Sequence, residues 1–130
     1  MKLNICYDDK NSISNFTNIT VRENGIGLDD IINNSCDEII IEDSLDYIKY
    51  NFIHSSLVNI VQKLRLNGTL TIIGLDITSI NRLVLSDSLK LEQFNDMISQ
   101  IKSINKHTNI RNILLSCGLE IQSEVLNGYK

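Results

Sequence analysis

Along this chain, short apolar runs rich in β-branched residues alternate with polar stretches dominated by Asn, Asp and Ser, and helical stripes appear between and after them. Leu3 to Cys6 reads as a first strand, and Asp8 to Asn15 as polar turn material. Asn18-Ile19-Thr20-Val21 reads as a second strand closed by Asn24-Gly25. The segment between these strands barely accommodates a crossover helix, which needs at least roughly 10–12 residues. Leu28 to Ile32 is a short turn or helical piece that ends at Asn33-Asn34. Glu38 to Glu42 is a continuous apolar run with charged ends, the pattern of a strand buried on both faces of a parallel sheet. From Asp46 to Leu66, the spacing of Ile53, Leu57, Ile60, Val61 and Leu64 predicts an amphipathic helix ended by Asn67-Gly68. Thr69 to Ile73 reads as another central strand. Leu89 to Ile104 and Ile110 to Ser116 read as two more helices, the second stopped by Cys117-Gly118, and Leu119 to Leu126 reads as a last strand. Alternating strands and helices predict one α/β domain over 1–130 with a mostly parallel sheet.

Composition narrows the function classes. Hydrophobic content of 42% and charged content of 22% are ordinary globular values. A net charge of -4 and a pI near 5.0 argue against a nucleic-acid-binding surface, because the basic residues form no stripe. Pro, Trp and Ala are absent while Ile and Asn are abundant, which points to an AT-rich genome. Cys6, Cys36 and Cys117 are widely spaced and form no CxxC pair, so they suggest neither a disulfide scaffold nor a zinc site but a reducing, cytoplasmic compartment. No apolar run approaches the length of a membrane span.

Several segments, in order, carry a resemblance. Lys2-Leu3-Asn4-Ile5 is followed by Asn15-Phe16-Thr17-Asn18-Ile19-Thr20 and by Cys36-Asp37-Glu38-Ile39 with Leu45-Asp46-Tyr47-Ile48. Leu64-Arg65-Leu66-Asn67-Gly68-Thr69-Leu70-Thr71-Ile72 comes next, and then His107 with Leu114-Leu115-Ser116-Cys117-Gly118-Leu119. This series resembles the small class I S-adenosylmethionine-dependent methyltransferases whose pattern runs "KLNIGCG", "GF-NVD", "FDEI…HVLEHI", "VLKPGG-L-I" and "H…LL…GF". The resemblance implies a Rossmann-type three-layer fold with a short first crossover, and a C-terminal hairpin cut short by the end of the chain. It also implies S-adenosylmethionine as cofactor.

The departures from the pattern fall where that cofactor would lie. The family's GxG turn corresponds to Cys6-Tyr7-Asp8, so side chains stand where glycines let the backbone approach a ligand. The ribose-binding acid maps to Thr20, which keeps a hydroxyl and loses the charged acceptor. Asp29, beside Asp30, stands either at the family's adenine-contacting acid or as an acidic opening of a short helix. Glu42 and Asp43 end a strand, where open α/β sheets bind ligands; they are either a solvated pair or, with Asp8, a negative cleft suited to a sulfonium cation. His107 matches a family position on the substrate side, yet no acidic or nucleophilic partner is evident in the sequence; His54 is expected to face solvent. Cys6 and Cys117 are expected to be buried thiols, and methyl transfer by direct displacement needs no covalent residue.

The expected function is a degenerate methyltransferase-like domain with impaired or no catalysis, with S-adenosylmethionine or no cofactor, that acts as an interaction or assembly module. The alternative is an active methyltransferase for a small-molecule or sugar-type acceptor. An unpaired sheet edge beside Leu119 to Leu126 predicts a homodimer or a protein partner covering it, with no nucleic acid and no membrane involved.

Overall fold

The strand Lys2–Cys6 (β1) has parallel partners on both sides. On one side Leu3 to Cys6 pair with Thr17 to Thr20 of the strand Thr17–Arg22 (β2). On the other, Lys2 to Ile5 pair with Glu38 to Ile41 of Cys36–Glu42; the two-residue strand Gly25–Ile26 (β3) precedes that segment (β4) and pairs antiparallel with β2. Leu64–Ile73 (β5) runs parallel to β4, giving the order β3-β2-β1-β4-β5 and a mostly parallel sheet in an α/β fold. The computed structural model describes residues 1–6, 12–22, 25–42, 44–74, 85, 90–98 and 107–121.

Residues opposite one another in a sheet share a face, so the register sorts the side chains into rows. Leu3, Ile39 and Leu70 form one apolar row, and Ile19, Ile5, Ile41 and Ile72 the next. The helix Ile53–Lys63 (α1) joins β4 to β5 and presents Ile53, Leu57 and Ile60 to the same core. After Leu91–Ile98 (α2), the helix His107–Ser116 (α3) adds Leu114, with Ile110 and Ile113 packed against it. The fully buried ones among them, Leu3, Ile5, Ile39, Ile41, Leu57 and Ile60, each stabilise the fold by about 1.5–3 kcal/mol of transfer free energy.

The opposite face of the sheet is polar. Its rows are Lys2-Glu38-Thr69, Asn18-Asn4-Ile40-Thr71 and, at the carboxyl ends, Thr20 and Cys6 followed by Glu42 and Ile73. Thr20, Glu42, Thr69 and Thr71 are exposed, and Ile40 is half-buried, so β4 is fully buried only on the face of Ile39 and Ile41 and not on both faces as expected, because no helix covers the polar face among the described residues. Asn4 is buried on this face, bonded to Asn18 of the neighbouring strand. Asn4 Nδ2 donates to Asn18 Oδ1 (2.8 Å), which also accepts from Ile13 N (2.9 Å). Asn18 Nδ2 in turn donates to the carbonyls of Ile13 (3.1 Å) and Phe16 (3.0 Å). Residues 13–16 thus form a turn, with Asn15 at φ 68°; β1 ends at Cys6 and β2 begins at Thr17, a short connection whose residues 7–11 lie outside the described part.

The helix expected from Asp46 to Leu66 is shorter at both ends. Its apolar stripe begins only at Ile53, and residues before it form two 3-10 turns, Leu45–Tyr47 and Tyr50–Phe52, that bury Leu45 and Ile48. At its other end Leu64 is extended and pairs with Cys36, because sheet pairing claims the residue that the helical spacing had assigned to the stripe. The last carbonyls of α1 are capped from the segment before β4: Asn34 N donates to Gln62 O (3.0 Å) and Ser35 N to Lys63 O (3.1 Å). Lys63 Nζ donates to Asn33 Oδ1 (2.8 Å) at the same end.

Asn67-Gly68 therefore does not end a helix but bulges out of β5. Cys36 pairs with Leu64 and Glu38 with Thr69, so residues 65–68 stand opposite the single Asp37. Asn67 adopts φ 65°, and Arg65 Nε holds Asp37 Oδ1 at 3.0 Å. Of the two later helices, α2 covers part of the expected 89–104 span, whose residues 99–104 lie outside the described part. α3 ends as expected at Cys117-Gly118: Gly118 (φ 86°) donates to Leu115 O (3.0 Å) and Leu119 N to Leu114 O (3.3 Å), a Schellman closure. Residues 119–121 are not in a strand, and the remainder of the strand expected over Leu119 to Leu126 lies outside the described residues. The long sheet edge among the described residues belongs to β5.

A Cβ on Gly68 would meet Leu64 Cδ1 at 2.8 Å and the carbonyl oxygens of Arg65 and Cys36 at 3.0 Å each. Two of these atoms are backbone and cannot rotate away. Gly68→Ala is expected to cost about 1–3 kcal/mol, seen as a lower urea midpoint at unchanged m-value; an unaltered midpoint would show that the bulge is not a fixed part of the fold.

Candidate functional site

Connections leave the two central strands in opposite directions: β1 leads to β2 on one side, β4 to β5 on the other. The crevice at the carboxyl ends of β1 and β4 is therefore the topological switch point, the place where open α/β sheets take ligands. Ser44 sits there, fully buried. Its Oγ lies 2.9 Å from the carbonyl of Ile5 on β1 and 3.0 Å from that of Glu42 on β4. A hydroxyl has one proton to donate, so the two carbonyls share it, and the side chain spans the gap between the strands.

Two residues further on, Asp46 lies in the first 3-10 turn and is 3% exposed. Gly74, just past β5, faces it: a Cβ there would stand 3.5 Å from Asp46 Oδ2 and 3.9 Å from Oδ1. A buried carboxylate thus lies near the carboxyl end of β5, beside the crevice that Ser44 bridges.

The register pairs Cys6 with Thr20 and Glu42 with Ile73, each one residue beyond the Ile5–Ile41 pair, so three of the sequence-predicted residues, Thr20, Cys6 and Glu42, lie at one end of the sheet on the same face. Of these, Cys6 is buried, and its thiol donates to the carbonyl of Ile19 (3.6 Å). Thr20 and Glu42 are exposed. Asp29 is exposed in the turn after β3, outside this group, while its neighbour Leu28 anchors that turn in the core. Tyr7, Asp8 and Asp43 lie outside the described residues. His54 is exposed on α1, as expected, and His107 opens α3. Cys6, Cys36 and Cys117 are unbridged; the first two are buried and Cys117 is half-buried. Among the described residues, no group of three or more His, Cys, Asp or Glu side chains could hold a metal ion, and no helix is long and apolar enough to cross a membrane.

Ser44 and Asp46 were not singled out from the sequence. The available signal was their position: they follow directly on a strand end and stand within the segment aligned with "HVLEHI", with Asp46 on its acidic residue. No family model, curated protein or solved structure matches this chain.

Removing the Ser44 hydroxyl leaves the buried Ile5 carbonyl and the part-buried Glu42 carbonyl without that donor. Ser44→Ala is expected to destabilise the protein by about 1–3 kcal/mol, measured by chemical denaturation. A change within error would show that neither carbonyl depends on it.

Proposed function

We propose that this chain is a methyltransferase-like domain of Rossmann type that does not transfer methyl groups and serves as an interaction or assembly module. The reading draws on the order β2-β1-β4-β5 of parallel strands, the reversal of connection at β1 and β4, and the short first crossover. The observation that carries it is Ser44. Its buried side chain bridges Ile5 and Glu42 at the point where a bound nucleoside cofactor would need the backbone open. Thr20 offers a hydroxyl and no carboxylate to a ribose, and the Cys6 thiol is turned to Ile19. These residues fit S-adenosylmethionine poorly, and no chemical step is assigned to it.

One observation favours the second reading, an active methyltransferase acting on a small-molecule or sugar-type acceptor. Asp46, buried beside Gly74, and exposed Glu42 together place negative charge at the carboxyl end of the sheet, which suits a sulfonium cation. Such an enzyme would depend on positioning rather than on a covalent residue.

Calorimetric titration separates the two. With S-adenosylmethionine and its demethylated product, no heat of binding is expected up to millimolar ligand. Micromolar affinity for either compound would overturn the non-catalytic reading and support the enzyme.

A further inference from the structure

We draw no further inference here: the strongest candidate, the surface patch of exposed apolar side chains Met1, Ile32 and Leu66 at the amino-terminal end of the sheet, carries nothing, because nothing among the described residues shows what covers it.

Discussion

The parallel pairing of β1 on both of its sides sets the place of every other part of this structure. Leu3 and Ile5 point into the core and Asn4 and Cys6 away from it, yet all four are buried, a condition that only an interior strand meets. Two parallel neighbours cannot both be reached by tight turns, so the chain must cross over, first to β2 and later to β4. β1 leads to β2 on one side and β4 to β5 on the other, and these opposite departures create the crevice at the carboxyl ends. The site is thus a consequence of strand order, before any side chain is considered.

The two faces of the sheet solve different problems. On one, aliphatic rows meet α1 and α3, and burial of apolar area supplies the stability. The other carries polar side chains, and Asn4 is buried there at a cost that its hydrogen bond to Asn18 offsets. Asn18 spends its remaining donors and acceptors on Ile13 and Phe16 in the turn before β2, so the same amide that bonds Asn4 also fixes how the chain enters β2. At the carboxyl end a similar economy holds: Ser44 ties the ends of β1 and β4 and occupies the crevice between them. A tie of this kind stabilises the sheet, and it also closes the gap a ligand would use.

Much of the framework was legible in the residues. The strand cores of β1, β2 and β4, the apolar stripe of α1 from Ile53 to Ile60, and the glycine that ends α3 at Gly118 all follow from local pattern and backbone preference. Asn67-Gly68 was equally visible as a place where the backbone turns, because both residues tolerate unusual φ; whether it ended a helix or interrupted a strand was not. Leu64 decided that question, and it did so by pairing with Cys36, a contact between residues far apart in sequence. The antiparallel β3 was missed for a related reason: two residues carry no periodicity of their own, and Gly25-Ile26 becomes a strand only because Val21 and Arg22 lie beside it.

The candidate site divides in the same way. From the sequence came Thr20 and Cys6, as what the resemblance implies, and Glu42, as the end of an apolar run; the register that sets them at one end of the sheet came from the structure. Which of those side chains is presented outward came from the tertiary structure, which turned the Cys6 thiol towards Ile19 and left Thr20 and Glu42 exposed. Ser44 and Asp46 look in sequence like ordinary polar residues of a loop. Only the packing of Leu45 and Ile48 draws that loop into the core, burying one hydroxyl between two strands and one carboxylate beside Gly74. Local pattern determines which residues can form strands and helices, because backbone preference and periodicity act over a few neighbours. Burial, register and the chemistry of the crevice depend on contacts between distant segments, and the fold alone brings those together.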